Sequence, residues 1–256
     1  MANASQGPDG KADHSAEVND YDDFAEAYTA SNETNLMNAY YERPAMLTLA
    51  GDVTGRRILD AGCGSGVLSA ALRDRGAIVT GVDASAAMLA LARRQLGQDA
   101  PLRLVDLRGP LPFQTAAFDD IVASLVLHYL KDWGPTLTEF RRVLTAGGRL
   151  IVSVDHPFAI HSLHRRAGQK TNYFATYDWT EEWTMGGRHT ASMSFWNRPL
   201  HAMTDAFTDA GFRLDVLREP QPVPAAEELF PDEFTSLTTS LSAVTYFPRS
   251  EGLSVT

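Results

Sequence analysis

From Arg56 onward, short apolar runs alternate with stretches whose apolar residues recur at helical spacing. Ile58 and Leu59 mark a strand over 56–60, and a helix follows over 66–75. Ala77-Ile78-Val79-Thr80-Gly81-Val82 is β-branched and apolar, the pattern of a buried parallel strand. It ends at Asp83, after which Ser85 caps an alanine-rich helix over 86–96. Leu102 to Val105 reads as a third strand ending at Asp106, and Phe118 to Ser124 as a fourth. A helix from Trp133 to Leu144, stopped by Gly147-Gly148, leads to a fifth strand, Arg149 to Val154. This strand–helix beat predicts an α/β fold, a doubly wound parallel sheet with right-handed crossovers. Ligands of such sheets bind at the carboxyl ends of the strands.

The beat fails at both ends. Residues 1–19 carry almost no large apolar side chain and are expected to be a disordered tail. Order is expected from Tyr21, where Tyr21, Phe24 and Tyr28 share one helical face. A second helix is expected over 38–49, with Pro44 placed to start a new turn. Residues 155–198 are rich in His, Trp, Tyr and Phe and show no βαβ rhythm. Tyr177 to Trp183, a Met185-Gly186-Gly187 turn and Arg188 to Trp196 predict a β-hairpin. A helix over Leu200 to Ala210, capped by Gly211, precedes a strand, Phe212 to Leu217. Pro220, Pro222 and Pro224 predict an extended crossing, and Leu241 to Phe247 a last strand. The expected organisation is one domain, 20–248, with a helical segment at 20–50, an insertion at 155–198 and a tail at 249–256.

The chemistry gathers where the first strand ends. Leu59-Asp60-Ala61-Gly62-Cys63-Gly64-Ser65-Gly66 places glycines at alternate positions, so a ligand can lie against bare backbone beside a helix N-terminus. The dinucleotide spacing is G-x-G-x-x-G, whereas Val67 follows Gly66 here. Asp60 would repel a pyrophosphate but not an ammonium. Asp60, Asp83 and Asp106 end successive predicted strands. Asp83 lies 17 residues past Gly66, placed to accept both hydroxyls of a ribose. Singly, each of these acids could be a loop or helix cap.

The run 59–66 closely resembles the first motif of class I S-adenosylmethionine (SAM) methyltransferases, and residues 20–155 resemble the ubiquinone-biosynthesis type. That resemblance implies a Rossmann-like, seven-stranded, mainly parallel sheet with helices on both faces and an antiparallel last strand, plus an inserted aromatic lid or hairpin. It implies SAM as cofactor, with S-adenosyl-L-homocysteine as product. Tyr21, Tyr28, Asp60, Gly62, Gly64, Gly66, Asp83, Ala84, Met88, Asp106, Leu107, Leu125 and His128 are the implied cofactor contacts. Tyr28 would belong to a lid, Asp106 would meet the adenine amino group and Met88 would pack on the ring. A backbone carbonyl near Leu125 would face the amino group, and His128 would approach the transferred methyl.

In such an enzyme the insertion grips the acceptor, and Tyr173, Trp179, Trp183, Phe195 and Trp196 suit an aromatic, fairly apolar small molecule, with His161 nearby. These aromatics could equally give the insertion its own core. A general base is needed only if the acceptor loses a proton; His128, Glu181, Glu182, His161 and Tyr177 are the candidates. His156, His161 and His164 straddle a proline, and no metal is expected. A net charge of -10 disfavours nucleic acid and anionic membranes as partners. The single cysteine, Cys63, fits a cytoplasmic protein. The N-terminal helices and the insertion offer surfaces for a homo-oligomer. Two other classes share these motifs: a SAM-fold protein that does not methylate (a cyclase or binding module) and a nicotinamide-dependent oxidoreductase.

Overall fold

The computed structural model describes residues 21–185 and 189–250. The predicted tail 1–19, residues 186–188, where most of the predicted Met185-Gly186-Gly187 turn falls, and the end of the chain from 251 lie outside them. Helix α1 (Ala25–Thr34) is followed by a π-helical segment, Leu36–Glu42, and by α2 (Arg43–Ala50), which Pro44 opens from its first turn. Strands β1 (Arg57–Ala61), β2 (Ile78–Asp83), β3 (Leu102–Leu104), β4 (Phe118–Ser124) and β5 (Leu144–Asp155) then alternate with α3 (Val67–Asp74), α4 (Ala86–Leu96) and α5 (Gly134–Val143). The chain continues through α6 (Pro157–Arg166), the hairpin strands β6 (Tyr177–Met185) and β7 (His189–Asn197), and α7 (Leu200–Asp209). It ends with β8 (Phe212–Arg218), α8 (Ala226–Leu229), α9 (Pro231–Thr239) and β9 (Ala243–Ser250).

The sheet order is β3-β2-β1-β4-β5-β9-β8, with β9 antiparallel to both neighbours. This is the seven-stranded, mainly parallel architecture that the resemblance implied, with the hairpin as a separate two-stranded unit. Ile58, Leu59, Ile121, Val122, Leu150 and Ile151 are buried on both faces of the central strands. The order reverses between the paired strands β1 and β4, so the connections leaving their carboxyl ends diverge and leave a crevice there.

Four boundaries differ from expectation. Gly147-Gly148 do not cap α5, which ends at Val143; they lie inside β5, where the register shifts between Phe118 and Asp120 of its neighbour. A Cβ on Gly148 would stand 2.9 Å from the Thr145 carbonyl oxygen, so the irregularity needs glycine. The segment after 155 is a helix rather than a loop, because Pro157 occupies its first turn and the His156 ring accepts the Phe158 N–H at 3.2 Å. Past Pro224 the crossing folds into α8 and α9, the latter again opened by a proline. The last strand runs on through Arg249 and Ser250, where the pattern predicts a tail.

Candidate active site

Beyond β1 the backbone turns through Gly62 (φ 78°) and Gly64 (φ 53°), with the N–H groups of Gly62 and Cys63 both donating to the Val82 carbonyl. The two glycines answer different needs. A Cβ on Gly62 would lie 2.5 Å from Val126 Cγ2, while one on Gly64 would meet nothing within 4 Å and project into open space. Gly66, which precedes α3, is not on that open side; its missing Cβ lets α3 approach Leu96 of α4. The space in front of Gly64 is a cavity of about 1270 Å³ at the carboxyl ends of the strands. Tyr21, Tyr28, Asp60, Gly62, Gly64, Asp83, Ala84, Met88, Asp106, Leu107 and Leu125 all line it. The structure thus brings eleven of the thirteen predicted cofactor positions to one wall; Gly66 and His128 are the exceptions.

The three strand-end acids meet different environments. Asp60 is 1% exposed and bonded by the Ser69 hydroxyl at 2.6 Å; burial pushes its carboxyl up to about 7. The Asp83 carboxylate accepts the Gly64 N–H at 2.8 Å and the Ser85 N–H at 2.9 Å, which ties β2 to the glycine turn. Burial raises its carboxyl too, against those hydrogen bonds. Asp106 lies beyond the end of β3 in an exposed loop, where the Arg108 guanidinium pairs with it at 2.6 Å and holds it below the usual carboxylate range.

The cavity is roofed by the N-terminal residues. The hydroxyls of Tyr21 and Tyr129 hydrogen-bond to each other, and burial raises both phenols. Asp22 accepts the Ser85 hydroxyl at 2.5 Å and the Ala87 N–H at 3.1 Å, tying the segment before α1 to the start of α4. Leu125 has φ 48°, rare for a residue with a Cβ, and its N–H donates to the Ser153 carbonyl at 3.0 Å.

His128 is not on the cavity wall. It is 6% exposed, packed edge-on against Tyr129 and Phe195, with its Nδ1 3.1 Å from the Asp155 carboxylate. After β4 the apolar run continues into a 3-10 turn, Leu127–Tyr129, which turns the His128 ring into the core. Glu181 accepts the Trp183 indole N–H at 2.9 Å on an exposed part of the hairpin, and Glu182 is exposed as well. Tyr177 pairs with His164 at 3.2 Å. None of these candidate bases reaches the cavity wall.

The hairpin pleat sorts the predicted acceptor residues. Asp178 and Thr180 of β6, opposite Trp196 and Ser194 of β7, face the cavity. Trp179, Trp183 and Phe195 project to the other face, where they pack with Met193 against Phe24 and Tyr28. They form the insertion's own core, and Trp196 alone of the six predicted acceptor contacts lines the cavity, with Lys131 Nζ 5.1 Å from its ring centre. His161 bonds Thr171 at 2.9 Å, and the Tyr173 hydroxyl accepts the Leu200 N–H at 3.4 Å. His156 meets Glu219 instead, and among the described residues no three potential ligands gather as a metal site.

Sequence reasoning missed Glu42 and Arg43, adjacent and oppositely charged on the same wall. Their signal was a charge pair set in an aromatic helical run, Tyr40-Tyr41-Glu42-Arg43.

Residues 59–152 match the methyltransferase domain family. The chain as a whole shares the fold of solved S-adenosylmethionine-dependent methyltransferases. It is 35% identical over 150 residues to a demethylmenaquinone methyltransferase of Tropheryma whipplei, an alignment covering 56% of this chain and 62% of that one. The chain therefore spans less than two thirds of that relative's length. A solved S-adenosylmethionine-dependent methyltransferase of Listeria monocytogenes is 20% identical, with TM-score 0.68 over 82% of this chain and 96% of that one. A solved cyclase, SpnF, shares the fold at TM-score 0.60 and 17% identity, over 91% of this chain and 94% of that one. No helix among the described residues is long and apolar enough to cross a membrane.

Proposed function

We propose that the protein transfers the methyl group of SAM to a small-molecule acceptor by in-line displacement. The observation that carries this is Asp83: a partly buried carboxylate held at the glycine turn, on the wall of a cavity large enough for a nucleoside and a second molecule. When bound, SAM supplies a methyl already attached to a leaving group. Asp83 would hold the ribose hydroxyls, Leu107 and Met88 would flank the adenine, and Gly64 would let the ligand lie on the backbone. Asp106 would reach the adenine amino group only by sharing its carboxylate with Arg108. Tyr21 and Tyr28 would exclude water from above.

The acceptor end is formed by Asp178, Thr180, Ser194 and Trp196. It suits an aromatic metabolite with polar substituents, its ring against Trp196, better than an apolar one. Holding donor and acceptor in line can supply about 7–11 kcal/mol of the barrier without any base. The test is calorimetric titration with S-adenosylhomocysteine on the native protein and Asp83→Ala. Micromolar binding, weakened at least about tenfold by the substitution, is expected from the loss of charge-assisted hydrogen bonds; equal affinity would overturn the role of Asp83.

The likeness to a cyclase favours a second reading, the same cofactor bound without methyl transfer. Transfer of labelled methyl to a panel of hydroxylated aromatics distinguishes the two. We place the protein in the cytoplasm, on the buried unpaired thiol of Cys63.

A further inference from the structure

Lys131 lines the cavity from the loop that joins the 3-10 turn Leu127–Tyr129 to α5. That loop is pinned from both sides. The buried Trp133 donates its indole N–H to the Leu127 carbonyl at 2.7 Å. The buried Arg198, just past β7, donates Nη2 to the carbonyls of Leu130, at 2.5 Å, and Lys131, at 3.2 Å. Its guanidinium also lies over the Trp133 ring, 4.3 Å from the centre. Two residues before Arg198, Trp196 carries the Lys131 ammonium 5.1 Å from its own ring centre. The exit of the hairpin thus fixes Lys131 twice, at its backbone and at its charged tip.

Acids stand on either side of this lysine, and it pairs with neither. Asp132 turns its Oδ1 to the Gly134 N–H at 2.9 Å, and Asp178 sits across the hairpin from Trp196. Among the described residues no carboxylate lies within ion-pair distance of Lys131, whereas Arg108 on the same wall is taken by Asp106. A chain of net charge -10 repels small anions, so an anionic acceptor needs a fixed local cation. An ammonium already held in place, with no counter-charge, meets that need at little ordering cost. We propose that Lys131 selects the acceptor by taking a carboxylate on it: the acceptor is an aromatic acid, its ring against Trp196 and a ring hydroxyl donating to Asp178. This assignment rests on the methyl-transfer reading above and names its substrate class. An alcohol of the same skeleton would leave the ammonium on Trp196 as it is, and the difference between the two is the selectivity.

The test uses protein saturated with S-adenosylhomocysteine, so that acceptors bind without reacting. A panel of hydroxylated benzoates and cinnamates, each beside the alcohol of the same carbon skeleton, is titrated calorimetrically into the native protein, Lys131→Met and Lys131→Arg. Lys131 is exposed, so neither variant disturbs the core, and methionine keeps an apolar stem over Trp196. The native protein should bind the best acid at least about tenfold more tightly than its alcohol, the value of one charge-assisted contact. Lys131→Met should erase that ratio and Lys131→Arg should keep it, with the alcohol within about threefold throughout. Equal losses of acid and alcohol in Lys131→Met would show that the side chain only packs on Trp196, and overturn the proposal. A native protein that holds S-adenosylhomocysteine but binds acids no better than alcohols, or binds neither, would overturn it too and leave the cofactor reading intact. A native protein that does not bind S-adenosylhomocysteine would overturn that reading, and the acid acceptor with it.

Discussion

The rings of Tyr28 and Trp183 stack at 6.0 Å between centres and 2° between planes, joining α1 to the far hairpin. Through this contact the cavity's roof is one unit made of two segments remote in sequence. Trp179 and Phe195 extend it, stacked at 4.7 Å. Trp183→Ala should loosen α1 without touching the central sheet. An aromatic pair is worth about 0.5–1.5 kcal/mol, so amide exchange over 25–34 should quicken roughly two- to tenfold. Unaltered exchange there would show that the hairpin does not brace the helix.

The same residues show how far sequence reaches. The sheet was legible because a buried parallel strand needs an unbroken apolar run, and a glycine turn with three strand-end acids leaves few alternatives. Trp179, Trp183 and Phe195 were legible as apolar, but not by destination. Strand period puts them opposite Asp178, Thr180 and Ser194, and only the tertiary fold decides which face meets the cavity. His128 illustrates the converse: a polar residue after an apolar run reads as a site, yet it packs beneath Tyr129. Glu42 escaped notice because its importance lies in contacts with Ser124 and Ser153, 82 and 111 residues away. Pro157 and Pro231 each open a helix for which the apolar pattern gave no expectation.

Asp60 gives the stability a pH signature. Its folded value of about 7 lies above the ordinary 3.8, so in that window the native state holds a proton that the unfolded chain has lost. Asp60's contribution is thus full below about pH 4 and falls as pH rises through 7, by up to about 1.4 kcal/mol per pH unit. Asp60→Asn stays neutral and can still accept the Ser69 hydroxyl. Urea denaturation at pH 5.5 and 8 should show the variant gaining on the native protein at the higher pH. A difference independent of pH would mean that Asp60 is solvated.

Two glycines of the turn should respond differently to alanine. Gly64→Ala meets no neighbour and should cost only the strain of a positive φ, about 1–2 kcal/mol, while narrowing the cavity. Gly62→Ala adds a clash with Val126 Cγ2, so it should destabilise more. Gly62→Ala with Val126→Ala should recover part of that loss in a denaturation series. No recovery would place the constraint at Gly62 in the backbone alone.

Asp120 is fully buried in β4, and two arginines converge on it from the neighbouring strands: Arg56, just before β1, and Arg149 of β5, at 2.5 Å. Arg149 also donates to the Ala50 carbonyl at 3.1 Å, so the cluster joins three strands to the end of α2. Its strength lies in completeness, since both carboxylate oxygens are bonded by both guanidinium groups. Asp120→Ala would leave two partly buried guanidinium groups facing each other with no carboxylate between them. Breaking a buried pair in this way costs about 3–5 kcal/mol, against about 0–1 for an exposed pair. The exposed pair Arg57–Asp119, offset by one residue on each strand, provides the control. Asp119→Ala should shift the denaturation midpoint little and Asp120→Ala greatly, with added salt reducing the first effect more than the second. Equal shifts would show that water reaches the Asp120 cluster and that packing alone holds β4 between β1 and β5.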